Sequence, residues 1–233
     1  MTQSNRCAIL FDLDGTLLDT APDLVGAIND LRVTDGRPAL ALAELAPMCS
    51  FGGRGMLQAG LGLYPEDAGY DDAYDRFIAR YAQRSTRETK PFDGMRDVIQ
   101  QIVADGWQWG VVTNKAEYLA LPIMDAMAFE PAPACVVGGD SVPHLKPDPG
   151  SLLRACELTG LDPQQCIYIG DSARDMQAAA AAGMLRIGVD YGYIPPGESI
   201  DDWDTTRVAE SVRALGATIR ELQAVITAGS CKS

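Results

Sequence analysis

The chain has 233 residues, with 19 basic and 32 acidic side chains and a formal net charge of −13. That length suits one large domain, or one domain with a smaller insert. The acidity argues against a nucleic-acid partner, because a polyanion is repelled at long range. No stretch nears the roughly 20 consecutive apolar residues of a membrane-spanning helix, and the start, Met1–Arg6, is polar. The expectation is therefore a cytoplasmic protein with no membrane partner. Six scattered cysteines (Cys7, Cys49, Cys135, Cys156, Cys166, Cys231) form no C-x-x-C pair. With a lone His144 they offer no zinc cluster, and they read as reduced, mostly buried thiols.

In chain order, Cys7–Phe11 is a short apolar run that stops at Asp12. The long interval to Gln108 carries no strand signal and reads as helices: Asp23–Val33, Ala39–Met48, Gly53–Ala59 and Asp71–Arg84. The last of these has Tyr74, Phe77, Ile78 and Tyr81 as its stripe. Glycines at 52, 53, 55, 60 and 62 break this segment, and Pro91-Phe92-Asp93-Gly94 marks the return. A helix over Asp93–Asp105 and an apolar run at Gln108–Val112 follow. Further apolar runs lie at Ala134–Val137, Cys166–Ile169 and Arg186–Val189, with helices Ser151–Thr159 and Ala173–Ala182 between them. Val208, Val212, Leu215, Ile219, Leu222 and Ile226 make one amphipathic stripe to the end.

Short runs apolar on both faces are what buried parallel strands need. Their alternation with helices predicts an α/β fold with a doubly wound, Rossmann-like parallel sheet. The interval after the first strand exceeds a β-α-β unit of roughly 30 residues. Residues 20–88 are therefore expected to form an inserted α-helical cap domain, leaving 1–19 and 89–233 as the core.

Four segments carry chemistry. Phe11-Asp12-Leu13-Asp14-Gly15-Thr16 places two carboxylates where a strand ends, and Gly15 permits an immediate turn. A calcium loop would need glycine at its sixth position and glutamate at its twelfth, where Leu17 and Asp23 stand. Val111-Val112-Thr113-Asn114-Lys115 ends the second core strand with a hydroxyl, an amide and an ammonium; Thr113 and Asn114 also suit helix caps. Lys146-Pro147-Asp148-Pro149 presents a lysine from a stiffened loop, although such a lysine by itself is more often a solvated surface charge. Gly170-Asp171-Ser172-Ala173-Arg174-Asp175 follows the fourth strand, and Ser172 with Asp175 has capping-box spacing.

Asp12, Thr113 and Asp171 thus fall beyond carboxyl ends of predicted parallel strands, the edge where open sheets bind ligands, and Lys146 lies in a loop there. Gathered carboxylates need a cation, and an all-oxygen donor set with a phosphate-type substrate suits Mg²⁺.

In order and spacing, Asp12-Leu13-Asp14-Gly15-Thr16, Thr113-Asn114, Lys146-Pro147 and Gly170-Asp171 with Asp175 resemble the four motifs of the haloacid dehalogenase superfamily. A helical cap between the first two motifs is a feature of one large branch of it. The chain looks closest to bacterial phosphoglycolate phosphatases, through Asp19-Thr20-Ala21-Pro22-Asp23-Leu24, Val137-Gly138-Gly139-Asp140-Ser141 and Tyr191-Gly192-Tyr193. It departs from them after Tyr193, where Ile194-Pro195-Pro196 replaces the usual asparagine. That feature, with Phe92-Asp93-Gly94-Met95 and Trp109-Gly110-Val111-Val112-Thr113, resembles N-acetylmuramic acid 6-phosphate phosphatases.

The resemblance implies a phosphatase in which Asp12 attacks phosphorus to form an aspartyl-phosphate and Asp14 serves as acid, then base. It implies Mg²⁺ held by the carboxylates of Asp12 and Asp171 and the backbone carbonyl of Asp14. Thr113, Asn114 and Lys146 would bind the phosphoryl oxygens, with Asp175 orienting Lys146 or a metal-bound water. Asp14 also counts against a true dehalogenase, which lacks this partner. Arg54, in Ser50-Phe51-Gly52-Gly53-Arg54-Gly55, is the candidate for a substrate carboxylate, with a solvated arginine as the alternative. The expected substrate is a small carboxylated phosphate ester, 2-phosphoglycolate first and N-acetylmuramic acid 6-phosphate as the alternative. A sugar phosphomutase, a nucleotidase and a non-catalytic scaffold rank behind, and the chain is expected to be a monomer or homodimer.

Overall fold

A computed structural model describes residues 7–230. It opens with β1 (Ala8–Phe11) and β2 (Leu18–Asp19), then α1 (Ala21–Thr34), α2 (Leu42–Leu45), α3 (Gly52–Leu61) and α4 (Tyr70–Ala82). The chain returns through β3 (Lys90–Pro91) to α5 (Met95–Ala104), β4 (Gln108–Val112), α6 (Glu117–Met127) and β5 (Val136–Val137). It ends with α7 (Gly150–Thr159), β6 (Cys166–Gly170), α8 (Ala173–Ala182), β7 (Leu185–Val189), β8 (Arg207–Ala209) and α9 (Val212–Ser230).

Among the described residues one six-stranded sheet runs in the order β5-β4-β1-β6-β7-β8, and every pairing in it is parallel. Alternate residues of β1 face opposite layers, as the period of two dictates. Ile9 and Phe11 join Trp109, Val111, Ile167 and Ile169 under Met95 and Ile99 of α5 and Leu215 and Ile219 of α9. Ala8 and Leu10 pack instead with Val112 and Tyr168 against Leu152 of α7 and Ala178 of α8. Helices therefore cover both faces, and the expected doubly wound, Rossmann-like sheet is present. The chain leaves β1 for β4 on one side and returns to β6 on the other, so the topological switch point lies at the carboxyl end of β1.

The inserted helices form a cap over that edge. α1 packs on α3 and α4. The two connections that flank the insert are tied together by the antiparallel β2–β3 pair, Leu18 with Pro91 and Asp19 with Lys90. The buried Asp23 carboxylate completes the tie, accepting from the Glu88 and Thr89 amides at 3.0 and 2.9 Å.

Several elements differ from the sequence expectations. β2 and β3 fall in the interval read as strand-free; two residues each, one of them Pro91, are too few for any periodicity. Not all the glycines taken as breaks act so. Gly52 and Gly62 bound α3 with φ of +59° and +72°, but Gly55 and Gly60 lie inside it. A Cβ at Gly60 would stand 2.3 Å from Ile28 Cγ1, so the glycine lets α3 approach α1. The Ala39–Met48 stretch is only the short α2 followed by a 3₁₀ turn over Ala46–Phe51, where Pro47 cannot donate a helical hydrogen bond. α6 had no expectation, since Pro122 interrupts it and Tyr118 and Leu121 blur its stripe with exposed apolar groups. Val208 belongs to β8, opposite Gly188, and the terminal helix begins at Val212.

Cys7, Cys49, Cys135, Cys156 and Cys166 are buried free thiols; Cys231 lies outside the described residues. No helix among the described residues is long and apolar enough to cross a membrane.

Candidate active site

Three strands deliver the site. Asp12 follows β1, and its amide donates to the Ile169 carbonyl at 2.8 Å, extending the sheet by one bond. Thr113 follows β4 and donates its amide to Val137 O at 2.9 Å. Asp171 follows β6. Parallel pairing forces all three onto one edge.

Carboxylate oxygens of Asp12, Asp171 and Asp175 lie within 4.8 Å of one another. Lys146 reaches this cluster with a side chain 2% exposed: Nζ lies 3.0 Å from Asp12 Oδ1 and 2.7 Å from Asp175 Oδ1. It also donates to Tyr168 Oη at 2.6 Å and Val112 O at 3.1 Å. Lys146 is thus no solvated charge. Asp175 serves both of its readings: Oδ1 takes the lysine, and Oδ2 accepts from the Ser172 amide and hydroxyl at the start of α8.

Asp171 sits in a backbone cradle. Its Oδ1 accepts from Thr16 Oγ1 at 3.2 Å and its Oδ2 from the Tyr193 amide at 2.7 Å. Gly15 turns at φ +80°, and a Cβ there would fall 2.1 Å from Asp171 Oδ2. Gly192 is as close on another side, where a Cβ would stand 2.3 Å from that of Asp171. The Asp-x-Asp-Gly-Thr and Tyr-Gly-Tyr segments therefore meet around one carboxylate.

Burial pushes the Asp12 carboxyl up to about 6; Lys146 opposes this, and Asp175 and Asp14 add to it. Burial, then Asp12 and Asp175, raises Asp171 well above the ordinary carboxylate value. Burial disfavours charge on Lys146, but Asp12 and Asp175 outweigh it and hold its pKa above that of a free lysine. Ionised together, the three carboxylates would exceed the one ammonium by two negative charges. The all-oxygen donors and that charge fit a hard divalent cation.

Asp14 turns elsewhere. Its Oδ1 accepts from Thr20 Oγ1 and from Lys115 Nζ, each at 2.6 Å, so its side chain is not part of the carboxylate cluster. Lys115 also donates to Tyr81 Oη on cap helix α4 at 2.6 Å and lies 4.6 Å over that ring. Lys115 and Tyr81 were not among the expected site residues. The only signals were the position of Lys115 two residues past Thr113 and of Tyr81 in the α4 stripe.

Asn114 reaches the site as a brace. Its Nδ2 donates to Lys146 O at 3.1 Å and its Oδ1 accepts from Lys146 N at 2.9 Å, pinning the lysine loop to the end of β4. Arg54, near the start of α3, is exposed, and among the described residues it has no hydrogen bond or ion pair. It lines, with Asp12, Asp14, Thr113, Lys146 and Asp171, a single cavity of about 670 Å³ between core and cap.

This fold and site agree with the comparisons. Residues 9–189 match the family of haloacid dehalogenase-like hydrolases. A phosphoglycolate phosphatase from Xanthomonas campestris pv. campestris (strain 8004) is 39% identical over 186 residues, 80% of this chain and 84% of that protein. An N-acetylmuramic acid 6-phosphate phosphatase from Pseudomonas aeruginosa is 35% identical over 208 residues, 89% of this chain and 92% of that protein. Among solved structures, that of a predicted phosphoglycolate phosphatase from Haemophilus somnus 129PT superposes with a TM-score of 0.79 at 23% identity, covering 94% of this chain and 99% of that one. The chain belongs to the haloacid dehalogenase superfamily, in the branch that holds both kinds of phosphatase. It is an enzyme, a phosphohydrolase.

Proposed function

We propose that the chain is a Mg²⁺-dependent phosphomonoesterase acting on a carboxylated phosphate ester. One observation carries this reading: Asp12, Asp171 and Asp175 gather within 4.8 Å, neutralised only in part by Lys146. The same reading takes residues 20–88 as the cap and 1–19 with 89–233 as the core, supported by the β2–β3 tie and the Asp23 bonds at the cap's two ends.

Asp12 is the nucleophile, attacking phosphorus in line to form an aspartyl-phosphate as the alcohol departs; water then cleaves that acyl-phosphate to release phosphate. Asp14 gives a proton to the leaving oxygen and later takes one from the attacking water. Lys146 and Thr113 hold phosphoryl oxygens. The Asn114 side chain is spent on the lysine loop, so its part falls to its backbone amide. Asp175 keeps Lys146 aimed. Asp12, Asp171 and the backbone carbonyl of Asp14 would hold Mg²⁺, which would supply charge neutralisation at the phosphoryl group. Arg54, without a partner among the described residues, is available to a substrate carboxylate.

Both 2-phosphoglycolate and N-acetylmuramic acid 6-phosphate join a phosphomonoester to a carboxylate, and relatives named for each activity are similar to this chain. The test is release of inorganic phosphate from these esters with and without Mg²⁺. Release is expected to require the metal and to fall more than about a thousandfold in Asp12→Asn. Full activity in that variant would end the proposal.

A further inference from the structure

The cavity is larger and more aromatic than a two-carbon acid needs. At about 670 Å³ it is in the range that encloses ligands of drug size, roughly 300–1,000 Å³. Six aromatic side chains line it: Phe51, Tyr70, Tyr74, Phe77, Tyr81 and Tyr118. Tyr70, Phe77 and Tyr81 are buried in the cap core, but Phe51, Tyr74 and Tyr118 remain 37%, 36% and 60% exposed. Large apolar surface left open in a concave site is surface kept for a ligand.

These rings are held in place. The Arg174 guanidinium lies 5.2 Å from the Phe51 ring centroid and donates to Ser50 O at 2.6 Å, fastening this cap loop to α8. Tyr74 stacks on Tyr70 at 6.0 Å. Gly53 also meets it, where a Cβ would stand 2.9 Å from the Tyr74 ring. Tyr118 comes from core helix α6, so cap and core both contribute. Tyr74, Tyr118 and Arg54 line the same cavity, which brings two rings and a guanidinium without a partner among the described residues to one site.

We propose that Phe51, Tyr74 and Tyr118, with Arg54, form a subsite for a ring, and that the substrate is a phosphomonoester of a carboxylated sugar. Tyrosine suits such a ligand because its ring offers an apolar face to sugar C–H groups while its hydroxyl bonds to theirs. The inference rests on the phosphomonoesterase reading and narrows it.

The test compares kcat/KM for N-acetylmuramic acid 6-phosphate, glucose 6-phosphate and 2-phosphoglycolate in the wild type, Tyr118→Ala, Tyr118→Phe and Arg54→Met. The carboxylated sugar ester is expected to lead 2-phosphoglycolate by at least about tenfold. Tyr118→Ala should shrink that ratio by about tenfold, mainly through KM, and Tyr118→Phe should restore most of it. Arg54→Met should bring the carboxylated sugar ester down towards glucose 6-phosphate. A wild type that prefers 2-phosphoglycolate, or a Tyr118→Ala that lowers all three esters equally, would overturn the subsite. Hydrolysis of none of them would instead overturn the phosphomonoesterase reading beneath it.

Discussion

Two buried lysines pair with the two carboxylates of the Asp-x-Asp segment, Lys146 with Asp12 and Lys115 with Asp14, and they are built differently. Lys146 is held wholly by the core: Asp12, Asp175, Tyr168 and the Val112 carbonyl. Lys115 spans two regions, taking Asp14 from the core and Tyr81 from the cap. The first side chain is 2% exposed and the second 7%. A cation enclosed by one layer suits the phosphate-holding role proposed for Lys146. A cation shared between layers links Asp14, the proposed acid/base residue, to cap helix α4.

The sharpest way to break this contrast is to remove each lysine. Lys146→Met leaves Asp12 and Asp175 buried without their partner, and unfolding in urea should show a loss of about 3–5 kcal/mol. Phosphate release should disappear with it; a stable, active variant would deny Lys146 its role. Lys115→Met should cost less stability, since Asp14 is partly exposed and keeps its Thr20 bond. Its signature is chemical. An alkyl ester needs a proton on its leaving oxygen and should slow by roughly tenfold to a hundredfold, whereas p-nitrophenyl phosphate, whose leaving group needs none, should change little. Tyr81→Phe should show the same pattern more weakly. Equal losses on both esters would mean that Lys115 does not act through Asp14.

A smaller effect follows from the carboxylates. In the chain without a cation, Asp12 titrates at about 6 instead of its ordinary 3.8. A carboxyl raised on folding contributes stability at low pH, and that contribution is lost as pH rises through about 6. A divalent cation favours the ionised form and offsets the loss. The gain in melting temperature on adding Mg²⁺ should therefore be greater at pH 7.5 than at pH 5, by a few degrees for a chain of this size. A gain independent of pH would separate metal binding from the raised carboxyls of Asp12 and Asp171.

Much of the core was legible before the structure. The runs ending at Asp12, Thr113 and Asp171 announce buried parallel strands, because only such strands are apolar on both faces. Their carboxyl ends then share an edge by topology alone. Lys146 was legible only through its motif, since nothing local distinguishes a lysine that is 2% exposed from a solvated one. What stayed hidden depends on contacts between distant segments. Lys115 finds Tyr81 34 positions away, and Tyr193 reaches Asp171 across 22. Arg174 seats the Phe51 loop from 124 positions beyond Ser50. The glycines of α3 carry the same lesson: a break and a close helix contact use the same residue, and only the neighbour, Ile28 at Gly60, decides between them.

Uptake of Mn²⁺ followed by electron paramagnetic resonance tests most directly whether Asp12 and Asp171 act as one centre. The wild type should bind a single ion, and Asp171→Asn, which keeps the size of the side chain but removes its charge, should lose most of that binding while still folding. Equal binding by both proteins, or none by the wild type, would contradict the account.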